Sequence, residues 1–178
     1  MTQRTLRLAY WLSLALTIAS LLSLTIIDQQ LKTAVSPLGI VSFELCAFNA
    51  SCSSIPASWA GEAKLYAAVS LGLDYLFMLV YPAAISCGLW LLSANAASSF
   101  KATAKFLIAA VWVAGFADAI ENYHLFQMLM GQPIASHQWP ATLAASLKFI
   151  CLTPALLLWL YGGVSSVIRG KAHRVVAS

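Results

Sequence analysis

The sequence predicts an all-α protein, a four-helix transmembrane bundle, and three observations carry that expectation. Of its 178 residues 61% are hydrophobic and only 9% charged, whereas soluble domains carry about 25% charged residues. Four apolar stretches, residues 8–27, 65–92, 106–130 and 143–168, are each long enough to cross about 30 Å of hydrocarbon at roughly 1.5 Å per helical residue. Cations gather at one side of those stretches. Hydrocarbon offers no water to an unpaired backbone, so each span must be helical. Nothing of domain size is left over, and residues 1–178 read as a single integral membrane domain.

The first span contains no charge and carries Ser13, Thr17 and Ser20 as a small polar stripe suited to close packing. Arg4 and Arg7 before it give it the look of a secretion signal. It is longer than a signal core, and no small-x-small cleavage pattern precedes Asp28, so it reads as a retained helix. Lys101 and Lys105 lie between the second and third spans, and Arg169, Lys171 and Arg174 follow the fourth. The other side holds Asp28, Lys32, Glu44, Glu62 and Lys64 in the first loop and His137 in the last. Positive charge marks the cytoplasmic face, so both termini are expected inside. The net charge of +4 is spread over three segments without aromatic interleaving. Attraction to anionic headgroups explains it more simply than nucleic-acid binding.

In the long first loop, Ser36-Pro37 is a good helix opening. Leu38, Val41, Leu45 and Phe48 follow on one helical face. The expectation is a short amphipathic helix on the exterior surface, with Glu44 solvated at the border of the apolar stripe. Cys46 and Cys52 share this loop, where an oxidising compartment permits a disulfide; spacing alone leaves the pairing open. Cys87 and Cys151 fall within spans and read as small core residues. The absence of any Cys-x-x-Cys removes the reactive half of a membrane disulfide relay. Trp59, Trp139 and Tyr10 sit near the expected interfaces and read as belt residues.

Inside the spans lie Asp74, Asp118, Glu121 and Lys148. A charge in hydrocarbon costs at least about 2.5 kcal/mol, so such residues are rare and need partners. From mid-span registers, Asp74 lies roughly 7 Å, Glu121 about 5 Å and Lys148 about 10 Å outward of mid-bilayer, one layer in the outer half. Asp118, Glu121, Asn122 and Leu125 share a face of the third helix, and Ser70, Asp74 and Tyr81 a face of the second. Gly115 admits a close neighbour, and Pro82 and Pro154 interrupt their helices and open space beside them. Three carboxylates against one ammonium leave two negative charges, so acids must hold protons or a bound cation must compensate. The candidate cluster is therefore Asp74, Asp118, Glu121, Asn122, Lys148, Tyr81 and Ser70. His124 stands nearer the outer surface, as a proton relay or an interfacial histidine. No close His/Cys/Asp/Glu set suggests a metal, and no motif suggests a cofactor.

Several readings fit that cluster. One is polar glue between helices. Another is a multipass protein with a polar, partly protonated pocket in its outer half, which binds a lipid-like or cationic small molecule or a partner subunit. A third is a membrane enzyme of lipid or sterol proton transfer, with Asp74 and Glu121 as acid and base. A fourth is a small proton-coupled transporter acting as an oligomer. The balance leans to binding over catalysis. The partners implied are membrane lipids, a small amphipathic ligand, and a second copy or another membrane subunit, with no nucleic acid.

Phe43-Glu44-Leu45, Leu73-Asp74-Tyr75-Leu76-Phe77 and Ala117-Asp118-Ala119-Ile120-Glu121-Asn122 resemble patterns in uncharacterised bacterial four-helix integral membrane proteins. That resemblance implies a bacterial inner (cytoplasmic) membrane and brings no activity. A more distant likeness is to the sterol-isomerase and sigma-receptor-like (EXPERA) superfamily, similar in size, in four spans and in acids at the end of the first helix and within the second. Here those are Asp28 and Asp74. The likeness implies carboxylates in a lipid-accessible cavity for sterols or cationic amphiphiles. The Asp-x-x-Glu-Asn set and Lys148 depart from that pattern.

Overall fold

A computed structural model describes the backbone of residues 2–94 and 96–176 and the side chains of residues 2–94 and 96–166. The side chains of Arg169, Lys171 and Arg174 thus lie outside the described residues. The chain folds into α1 (Gln3–Asp28), two short helices α2 (Ile40–Glu44) and α3 (Ser54–Ser58), and three long helices, α4 (Glu62–Ser93), α5 (Ser98–Leu129) and α6 (Ile134–Val176). Among the described residues there is no strand. Four helices are long and apolar enough to cross a membrane. Each begins before the apolar stretch seen in the sequence, and α1, α4 and α6 also end beyond it. Backbone hydrogen bonding continues after hydrophobicity stops, through polar starts such as Glu62 and Ser98.

The short connections make successive long helices antiparallel. One end of the bundle carries the two termini and the link from α4 to α5 (the termini end); the other carries the long first loop (the loop end). α5 packs most extensively on α6, and α4 is the hub touching α1, α5 and α6. α1 is peripheral: Ser20 is its only buried residue. Ser13, Thr17 and Ser20 form its shielded edge, and the hydroxyls of Ser13 and Thr17 donate to carbonyls of their own helix, so neither is orphaned. Against α6 it makes sparse contact at the termini end, where Tyr10 meets Trp159 edge-on at 6.5 Å. Gly88 lies beneath that pair, where a Cβ would run into the Trp159 indole.

Where α4 and α5 cross, a Cβ on Gly115 would fall 2.9 Å from the carbonyl oxygen of Met78. That carbonyl stands four residues before Pro82, which has no N–H to give it. A residue without a side chain thus lets the second helix cover a bare carbonyl, as close-packed membrane helices require.

The first loop is a folded cap. Trp59, 2% exposed, stacks edge-on against Phe43 at 5.3 Å, and its indole N–H donates to the Leu31 carbonyl at 2.8 Å. Phe43, Cys46, Cys52 and Ile55 join one apolar cluster with Ala67 and Leu71 of α4, Leu125, Met128 and Leu129 of α5 and Ala141 of α6. Cys46 and Cys52 are joined in a disulfide. A second cluster, with Met78, Ile85, Leu89, Leu107, Val111 and Ala155, fills the space between α4, α5 and α6 nearer the termini end.

Three expectations change here. The loop helix is shorter than the sequence pattern and turned over: Leu38 and Phe48 are exposed while Phe43 and Glu44 face inward. The reason is that Ser36 does not cap it. The Ser36 hydroxyl donates to the Leu31 carbonyl, and the Ile40 N–H donates instead to Asp28 at 2.7 Å. Gly39 makes that turn at φ +57°, with the Asp28 carboxylate in the space of any Cβ. Trp59 belongs to the core of the cap rather than to an interfacial belt. Cys87 and Cys151 are free and only half-buried.

Candidate functional site

The charged residues meet between the two apolar clusters. The Asp-x-x-Glu-Asn spacing puts Asp118, Glu121 and Asn122 on one face of α5, and all three are buried. Small residues on the facing helix (Ala141, Ala144 and Ala145 of α6) let it approach closely and carry Lys148 across. The Lys148 ammonium lies 2.8 Å from Glu121 Oε2 and 3.0 Å from Oε1, and 3.2 Å from Asp118 Oδ1. Glu121 is fully buried and Lys148 is 7% exposed, so this is an ion cluster shut off from solvent. The Phe149 ring, 4.9 Å from the ammonium, adds a cation–π contact.

A third carboxylate arrives from the cap. Glu44 Oε2 lies 3.4 Å from the same ammonium, and Glu44 is 7% exposed. Thr142 of α6 fixes its backbone by donating to the Glu44 carbonyl at 2.8 Å, while the Thr142 hydroxyl accepts from the Ala47 N–H at 3.3 Å. The sequence reads Glu44 as solvated. It is in fact a member of the site. The inward face of the cap could only be found by folding the loop over the bundle.

Asp74 is held separately: Asn122 Nδ2 donates to its Oδ2 at 2.7 Å, which ties α4 to α5. Asp74, Asp118, Asn122, Lys148, Tyr81, Ser70 and Glu44 all line a single cavity of about 340 Å³. The rest of its wall is mixed: Leu21 and Leu24 of α1, Phe77 of α4 and Leu152 of α6 give it an apolar side, and Thr25, Asp28, Gln29 and Lys32 line it where α1 runs into the cap. Because α1 and α6 meet mainly at the other end, they form two facing walls with the cap above. Tyr81 is 3% exposed, and its hydroxyl lies near the Asp118 carboxylate without forming a well-aligned hydrogen bond. A buried donor without a well-aligned acceptor costs about 1 to 3 kcal/mol, which a bound acceptor would recover.

Of the seven residues expected in the cluster, the structure brings six to the cavity wall. The seventh, Glu121, lies behind it as the closest partner of Lys148. Three carboxylates (Glu44, Asp118 and Glu121) therefore share one ammonium, and a fourth, Asp74, lies on the same cavity wall without pairing to it. Surroundings of low dielectric penalise such an excess unless protons or a cation offset it. His124 stands apart. Its Nδ1 lies 2.8 Å from Nδ1 of His137, so one ring donates and the other accepts, and the pair joins α5 to the start of α6. Nothing in the sequence spacing announces this pairing, because the two rings meet only once the α5–α6 turn is built. No protein-family model, curated protein or solved structure matches this chain, so the functional reading rests on the geometry of this site.

Proposed function

We propose that the cavity binds a small amphipathic cation, with its charged head at Asp74 and Asp118 and its apolar body along Leu21, Leu24, Phe77 and Leu152. The observation that carries this is the surplus of carboxylates on the wall, Asp28, Glu44, Asp74 and Asp118 against Lys32 and Lys148, beside the buried Tyr81 hydroxyl. A cation supplies the missing positive charge, and an acceptor on the ligand accepts a hydrogen bond from the Tyr81 hydroxyl. About 340 Å³ falls in the usual range for small-ligand pockets. Asp74 is the natural contact because Lys148 does not pair with it, whereas Asp118, Glu121 and Glu44 are already drawn to that ammonium.

The test is thermal unfolding of the purified chain in mild detergent with a panel of alkyl amines, quaternary ammonium amphiphiles and neutral lipids. Cationic amphiphiles are expected to raise the midpoint, and Asp74→Asn to weaken their apparent affinity about tenfold. A full ligand-induced shift in Asp74→Asn, or equal shifts from neutral lipids, overturns the reading. The proton-transfer alternative needs two acids facing the substrate. Glu121 is not on the cavity wall, so that chemistry would fall to Asp74 and Asp118. Deuterium uptake by a sterol-like olefin in heavy water distinguishes it from binding alone.

A further inference from the structure

A second concavity, independent of the carboxylate cavity, lies at the termini end. We propose that it is a binding site for an anionic phospholipid. Its upper part, about 450 Å³, lies between the start of α1 and the facing ends of α4 and α5, with Gln3, Trp90, Lys101 and Lys105 on its wall. Lys101 and Lys105 are four residues apart on α5 and so project from one face. Leu6, Trp90 and Ile108 continue into a lower part of about 340 Å³, where Ser86 and Cys87 complete the wall. The result is one groove, cationic at the mouth and largely apolar below.

Charge complementarity selects the occupant. All six acidic residues lie between positions 28 and 121, and none falls in residues 1–27, 75–117 or 122–178. Among the described residues neither Lys101 nor Lys105 has a carboxylate within ion-pair reach, since the ion pairs all converge on Lys148. Counter-charge for this mouth must come from outside the protein. A phosphodiester headgroup supplies it, and its acyl chain fits the strip formed by Leu6, Ile108 and Cys87. Trp90, 58% exposed, sits at the junction, where an indole spans the polar and apolar levels. One turn deeper the Ser86 hydroxyl is buried with no hydrogen-bond partner. It offers a donor to the ester carbonyl of a glycerolipid.

The experiment titrates the full chain in mild detergent with phosphatidylglycerol, phosphatidylcholine or soluble glycerol phosphate and counts retained molecules by native mass spectrometry. Phosphatidylglycerol is expected to be retained over phosphatidylcholine, and glycerol phosphate, which has no chain for the lower groove, not to be retained. Lys101→Gln with Lys105→Gln is expected to weaken phosphatidylglycerol about thirtyfold, and Lys105→Gln alone about fivefold. Lys64→Gln at the loop end removes the same single charge and is expected to leave the preference intact. Equal losses in Lys64→Gln and Lys105→Gln would mean that net charge alone sets the preference, which overturns the site. An unchanged preference in the double variant, or glycerol phosphate held as tightly as the lipid, overturns it as well.

Discussion

The two ends of the bundle solve the problem of charge in opposite ways. At the loop end, acids are buried, and the protein brings its own cation to them: Lys148 meets Glu121, Asp118 and Glu44 within 3.4 Å. At the termini end, cations stay exposed beside a core of Leu89, Leu107 and Val111, and the protein supplies no acid. The comparison separates two kinds of stability. A shielded ion cluster is part of the fold, because removing one partner leaves the others desolvated and unpaired. An exposed lysine contributes little to the fold and remains available to a ligand.

Breaking the loop-end cluster therefore gives the largest expected effect. Lys148→Met is expected to lower stability by about 3 to 5 kcal/mol, measured by unfolding in mixed micelles. Addition of Glu121→Gln and Asp118→Asn should recover part of that loss by removing the stranded charge. A loss well below that range would mean that the acids do not depend on the ammonium.

An intermediate effect is expected from the cap. Cys46→Ser with Cys52→Ser releases a short covalent loop and is expected to cost about 2 kcal/mol. Because Glu44 precedes the bonded segment, the same variant should hasten proteolytic cleavage within residues 29–61. Unchanged cleavage would show that Thr142, Asp28 and Trp59 hold the cap unaided. The smallest effect belongs to the termini end: Lys101→Gln, unfolded in detergent without added lipid, should stay within about 0.5 kcal/mol of the parent protein. A larger loss would mean that this lysine has an intramolecular role, and the contrast between the ends would weaken.

Much of the architecture is legible in residue order alone. Apolar length marks four helices, and the three- and four-residue steps of Asp118, Glu121 and Asn122 mark one face of α5. Their depth relative to Asp74 and Lys148 is a matter of counting residues along antiparallel spans. What escapes is what depends on the irregular first loop. Glu44 and Phe43 point inward because Asp28 caps α2 across the turn at Gly39, and Trp59 is buried because its indole reaches the Leu31 carbonyl. These partners are 12 and 28 residues apart in the chain, so no local periodicity encodes them. The His124–His137 pair escapes for the same reason.

Long membrane-competent helices, several of them with charge at a common level, follow from residue order, since hydrophobic length and helical repeat are local properties. Packing in three dimensions settles which acids share Lys148, that a loop residue is among them, and that the Tyr81 hydroxyl comes to lie at a cavity. Those outcomes depend on how close α5 and α6 can pack and on where the cap comes to rest, and closeness between distant segments is not written in either segment alone.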